Sequence, residues 1–168
     1  MKSTLGAVIA VGVALALGPG VAPSAIAPSR CGVSQVRHVP HIGWMVVGDG
    51  PVSLGLVGGQ RRARISIAQS VRDKQGWRAQ KTPWLVRRAY RGPVTVTARR
   101  IDGPGQVRLA KVYGQHLRRL AFARDNVSPP THGFYLLPSG ALFRSTGCYA
   151  FDVSGRHYFE RLIVRVVA

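Results

Sequence analysis

Residues 139–168 read SGALFRSTGCYAFDVSGRHYFERLIVRVVA, and their apolar positions recur at every second residue. Two apolar runs are separated by a short turn. In the first, from Cys148 to Val153, Tyr149, Phe151 and Val153 fall on one face of a strand. In the second, Leu162, Val164 and Val166 share a face, with Arg161 and Arg165 opposite. Side chains alternate across a strand, so each run buries one side and wets the other. Ser154-Gly155 is expected to form the tight turn, because a hairpin turn needs a residue that tolerates positive φ. The stretch predicts the closing hairpin of a β-sandwich.

The same alternation recurs upstream. Val52, Leu54 and Leu56 share a face, as do Ile65 and Ile67, and Trp84 and Val86. The cleanest case is Pro93 to Ile101, where Val94, Val96 and Ala98 alternate with Thr95, Thr97 and Arg99; Val107 and Leu109 follow the same rule. Gly48-Asp49-Gly50-Pro51 and Asp102-Gly103-Pro104-Gly105 are turns by composition, and Asp102 is expected to cap its own turn. Ser70 to Gln80 is polar, with Trp77 alone among charges, and reads as a loop. His116 to Ala123 fits a helix through Leu117, Leu120 and Ala121, or a strand through Leu120 and Phe122. Short strands, frequent turns and no long helical period predict an all-β sandwich.

The N-terminus predicts export. Met1-Lys2 precedes an apolar run from Leu5 to Leu17, broken by Gly18-Pro19-Gly20. That run is shorter than the ~20 residues a spanning helix needs. Ala25-Ile26-Ala27 supplies the small-x-small pattern after which a signal peptidase cuts. The expected layout is a signal peptide at 1–27, an N-terminal arm at 28–50 and a sandwich domain at 51–168, with no membrane span. Cys31 and Cys148 then lie outside the cytosol, where a single pair predicts one disulfide. It ties the arm to the closing hairpin. Cys148 alternates with Tyr149, so the bond is not the inward-facing bond between sheets found in antibody domains.

Charge is the other strong feature. The chain carries 24 basic residues against 6 acidic ones, a formal charge of +18. Loss of Lys2 with the leader lowers that by one. Such an imbalance attracts polyanions and repels itself. The basic residues cluster at Arg61, Arg62 and Arg64; at Arg87, Arg88 and Arg91; at Arg99 and Arg100; and at Arg118, Arg119 and Arg124. Guanidinium forks grip phosphate and carboxylate at two points. These arginines are therefore the candidate binding residues, with an anionic cell-envelope polymer or a protein partner as the expected ligand. Specific nucleic-acid recognition is not expected from an exported chain with few aromatics for base stacking.

Catalytic signals are sparse. Metal sites need three or four converging ligands. His38 and His41 form a close pair, while His116, His132 and His157 are scattered. Glu160 is the single Glu, and no G-x-S-x-G elbow occurs. No metal or other cofactor is expected, and the chain reads as non-enzymatic. The alternative is a metal-binding or hydrolytic extracytoplasmic enzyme that uses those histidines.

Three stretches carry a resemblance. They are Lys81 to Gly105, Gly133 to Leu142, and Phe143 to Val167 with its Gly147-Cys148-Tyr149. Together the chain resembles a widespread set of small exported bacterial proteins of uncharacterised function. That set has a tryptophan-containing strand, a strand ending in Arg-Arg-Leu-Asp, and a late Phe-Pro-Thr-x-Gly-Cys-Trp before a closing hairpin. The counterparts here are Trp84, Arg99-Arg100-Ile101-Asp102 and Phe143-Arg144-Ser145-Thr146-Gly147-Cys148-Tyr149. Ile101, Arg144 and Tyr149 depart from the pattern. The resemblance implies an exported, immunoglobulin-like β-sandwich and no assigned catalytic activity.

Overall fold

The computed structural model describes residues 31–58, 60–112, 114–123 and 132–168. The leader expected at 1–27 lies outside these, as does Arg124. The strands begin with β1 (Val36–Val39), β2 (Trp44–Val47), β3 (Val52–Leu56) and β4 (Arg64–Ser66). Next come β5 (Arg78–Lys81), β6 (Trp84–Arg87), β7 (Val94–Arg100), β8 (Val107–Ala110) and β9 (Arg119–Phe122). The chain closes with β10 (Phe134–Leu137), β11 (Gly140–Phe143), β12 (Gly147–Gly155) and β13 (Tyr158–Val167). One short 3-10 turn, Pro40–Ile42, joins β1 to β2.

Three sheets form. The first has the order β1-β2-β3-β6-β10, the second β5-β11-β8, and the third β4-β13-β12-β7-β9. The all-β sandwich predicted from alternation is the observed fold class. The first and second sheets are two halves of one surface, broken at a proline in each of two adjacent lines of chain. Pro83 separates β5 from β6 and Pro138 separates β10 from β11. Proline has no N–H to give the ladder, so pairing stops there. The Thr82 amide, which donates to Ser139 O at 2.9 Å, holds the two kinks side by side.

Alternation sets the core. Tyr149, Phe151 and Val153 of β12 and Leu162, Val164 and Val166 of β13 are all within 1 % of full burial. The Trp84 ring meets Phe151 at 6.0 Å between centroids, joining the first sheet to the third. Phe143 meets Tyr149 at 4.9 Å and joins the second to the third. Burying aromatics of this size dominates the apolar contribution to stability.

Three local expectations change, and one open between helix and strand is settled. The closing turn is Arg156-His157, since Gly155 still pairs with Tyr158. His157 takes the positive φ of 55°. Gly155 is required for a different reason: a Cβ there would strike the Tyr90 hydroxyl. Arg78 to Gln80, expected within the loop from Ser70 to Gln80, belong with Lys81 to the edge strand β5. Its residues are polar because an edge strand buries little on either side. His116 to Ala123 resolves to strand, with Leu120 and Phe122 buried. The sandwich also starts earlier than residue 51. Val36–Val39 and Trp44–Val47, expected within the arm, pair with each other and then with β3.

Cys31 and Cys148 are joined, with their Cα atoms 5.8 Å apart. The arm is fastened further at Ser34, whose amide donates to Ile163 O at 2.9 Å. Ser34 Oγ in turn accepts the Ile163 amide at 2.8 Å. Cys148 points outward, away from buried Tyr149, as the alternation requires.

Candidate anion-binding face

Each acid among the described residues is committed within the chain. Glu160 Oε1 accepts the Asp49 amide at 3.0 Å and Oε2 accepts the Gly50 amide at 3.2 Å. The Tyr158 hydroxyl donates to Oε2 at 2.7 Å. Burial first, and that bond second, push the Tyr158 ionisation far above its ordinary value. Asp49 lies 3.6 Å from Arg37 Nε. Asp102 is held by Arg100, Asp73 by His116, and Asp152 by Arg161. With the acids used in this way, most arginines keep their charge open to solvent.

Strand register gathers several of those arginines. In the third sheet Arg64 pairs with Arg165, which pairs with Cys148. Two residues along, Arg99 lies across from Ala150, and Ala150 across from Ile163. A further two along, Arg161, Asp152, Thr97 and Arg119 form one row. Alternation turns all of these away from the core. Arg64, Arg99, Arg119, Arg161 and Arg165 therefore share the outward face, with Asp152 between them. Arg161 grips Asp152 at 2.6 and 3.3 Å, and Arg99 approaches it at 3.9 Å. The bonds and charge of Asp152 raise the Arg161 ionisation further.

Arg64 and Arg165 are cross-strand neighbours of like charge, with backbones ~5 Å apart. Such a pair repels. An anion seated between the two forks removes the repulsion and gains charge-assisted hydrogen bonds. Arg61 and Arg62 are exposed on the run into β4, and Arg118 is exposed before β9. β4 and β9 are the two edges of the sheet. The cationic face thus spans five strands, a width of ~19 Å.

Other candidates fall elsewhere. Arg87, Arg88 and Arg91 line a separate open concavity of about 560 Å³ with Phe134. Arg100 is occupied within the chain, donating to Asp102, Pro104 O and Ser145. His38 is exposed on β1, and the His41 ring stacks on His132 at 6.4 Å. Among the described residues no three His, Cys, Asp or Glu side chains converge to hold a metal ion. The reading from clusters missed Arg161 and Arg165. Their alternation in β13 was visible, but only the pairing with β4 and β12 places them beside Arg64 and Asp152.

No family model matches the chain, and no curated protein or solved structure does either. The disulfide is compatible with an extracytoplasmic location. Among the described residues, no helix is long and apolar enough to cross a membrane.

Proposed function

We propose that the protein is a non-enzymatic, exported β-sandwich that binds an anionic cell-envelope polymer along the outward face of its third sheet. The observation that carries this reading is the gathering of Arg64, Arg99, Arg119, Arg161 and Arg165 on one sheet face, where Asp152 is held by Arg161 and Arg99. The signal-like leader and the resemblance to exported bacterial proteins support the compartment. A polymer suits the face better than a small anion, because the charge is spread over the sheet rather than focused in a pocket.

The test is retention on immobilised heparin in a salt gradient. The triple variant Arg64→Ala/Arg119→Ala/Arg165→Ala is compared with Arg87→Ala/Arg88→Ala/Arg91→Ala, which removes the same charge elsewhere. The face variant should elute at markedly lower salt than wild type, with a salt dependence reduced by about one unit per lost contact. The second variant should elute close to wild type. Equal losses in both would reduce the retention to net charge and overturn the assignment to this face.

A further inference from the structure

The prolines that divide the sheets also shape the opposite surface. Where the outward sides of β2 and β10 meet those of β5, β8 and β11, a groove of about 680 Å³ opens beside Pro83 and Pro138. That volume lies in the range of small-ligand sites. Ala79, Ala110 and Gly140 form much of its floor, and their small side chains leave the trough empty. Trp44 and Leu136 supply one wall from the first sheet. Val57, Val71 and Val112 also line it and are 51 %, 84 % and 61 % exposed. They are three of the five large apolar residues exposed among the described residues. Exposed apolar side chains gathered at one concavity mark a binding surface.

The charged groups of the groove, Lys81, Lys111 and Asp73, sum to a positive charge. Asp73 is satisfied: Oδ1 accepts the Gln75 and Trp77 amides at 2.8 and 2.9 Å, and Oδ2 meets His116 Nε2 at 3.1 Å. Burial works against its ionisation, yet those amides and His116 hold its carboxyl below the usual carboxylate range. Trp77 is buried under Arg144 and Arg108, whose guanidinium carbons lie 4.5 and 5.5 Å from its ring. Lys81 and Lys111 line the groove without a carboxylate in ion-pair range among the described residues. Lys81 and Ala110 both pair with Gly140, so Lys81 and Lys111 stand at the same end.

We propose that this groove binds a medium-chain acyl carboxylate, its tail over Ala79, Ala110 and Leu142 and its headgroup between Lys81 and Lys111. Apolar walls select the tail, and two uncompensated ammonium groups select an anion over a neutral or cationic head. This site is separate from the cationic sheet face and stands or falls independently of it.

Trp44 and Trp77 line the groove, whereas Trp84 lies in the core, so bromine-tagged ligands report binding by quenching tryptophan emission. The full chain is titrated with 12-bromododecanoate, 10-bromodecanoate and 12-bromododecanol. Quenching by the acids should saturate, with roughly tenfold tighter binding for two added methylenes. Lys81→Ala/Lys111→Ala should weaken dodecanoate about tenfold while leaving the alcohol unchanged. Ala110→Trp, which fills the floor, should abolish binding of both with the melting curve retained. The Arg64/Arg119/Arg165 variant should bind the acid like wild type, even if heparin retention is lost or never existed. Unsaturable quenching, or acid binding indifferent to both the lysine pair and the filled floor, would overturn the proposal. So would saturable displacement of the acid by an apolar peptide with no dependence on the lysines, which would make the groove a protein-docking site.

Discussion

The amide of Cys148 donates to Asp102 Oδ2 at 2.9 Å. Asp102 Oδ1 accepts Arg100 Nε at 2.7 Å, and Arg100 reaches on to Pro104 O and Ser145 Oγ at 2.8 and 3.2 Å. The Tyr149 hydroxyl donates to Ser145 O at 2.8 Å. The Arg-Arg-Ile-Asp turn and the Gly-Cys-Tyr strand start, distant in sequence, therefore form one clasp beside the disulfide. Asp102 reaches across to another strand as well as serving its own turn, which was all that its turn position predicted.

Asp102→Asn keeps the shape and removes the charge. It should cost about 1–3 kcal/mol, because Arg100 loses its charged acceptor in a partly buried setting. The melting temperature should fall by several degrees. Burial opposes ionisation of Asp102, but the Arg100 bond and the Cys148 amide win and hold its carboxyl below the usual range. A lowered folded-state pKa gives stability that is present above the unfolded value of ~4 and lost as pH falls through the folded one. Melts at pH 7 and near pH 2 should show the difference between wild type and variant shrinking at acid pH. An unchanged difference would remove the charge from the explanation.

Gly147→Ala should be severe for two reasons at once. Gly147 has φ of 146°, and a Cβ would sit 2.7 Å from Arg100 Nε and 2.8 Å from Asp102 Oδ1. Gly32 has open space around its Cβ position and gives a matched control. Denaturant midpoints should drop by the equivalent of about 2 kcal/mol or more for Gly147→Ala and stay near wild type for Gly32→Ala. Equal behaviour would mean that the clasp relaxes freely.

The disulfide closes a loop of 117 residues. Chain entropy assigns it about 4–5 kcal/mol. Cys31→Ser/Cys148→Ser should lose most of that and free residues 31–35 for proteolysis, since among the described residues the Ser34 bonds are what then fasten them to β13. Limited digestion with mass spectrometry reads this out. A variant as resistant as wild type would show that the Ser34 bonds suffice.

The closing hairpin was legible because alternation is a local signal, and Tyr149, Phe151, Leu162 and Val164 obey it without exception. The turn within it was misplaced by two residues. Glycine is the usual sign of a turn, but Gly155 answers to the Tyr90 ring, a contact between distant parts of the chain. Strand β5 was hidden for a related reason: Arg-Ala-Gln-Lys carries no apolar run, and its pairing with β11 supplies the strand. The candidate site was half legible. Clusters identified Arg64, Arg99 and Arg119, yet their meeting on one face with Arg161 and Arg165 depends on β4 lying parallel to β13. Such a pairing is non-local and leaves no mark on spacing.

The most direct test of the cationic face is a backbone NMR titration of the folded chain with a size-defined sulfated oligosaccharide at physiological salt. Saturable shifts should concentrate on β4, β13 and β9, at Arg64, Arg119, Arg161 and Arg165, and spare Arg87, Arg88 and Arg91. Shifts centred on Arg87 to Arg91, or scattered over every exposed arginine without saturation, would contradict the account.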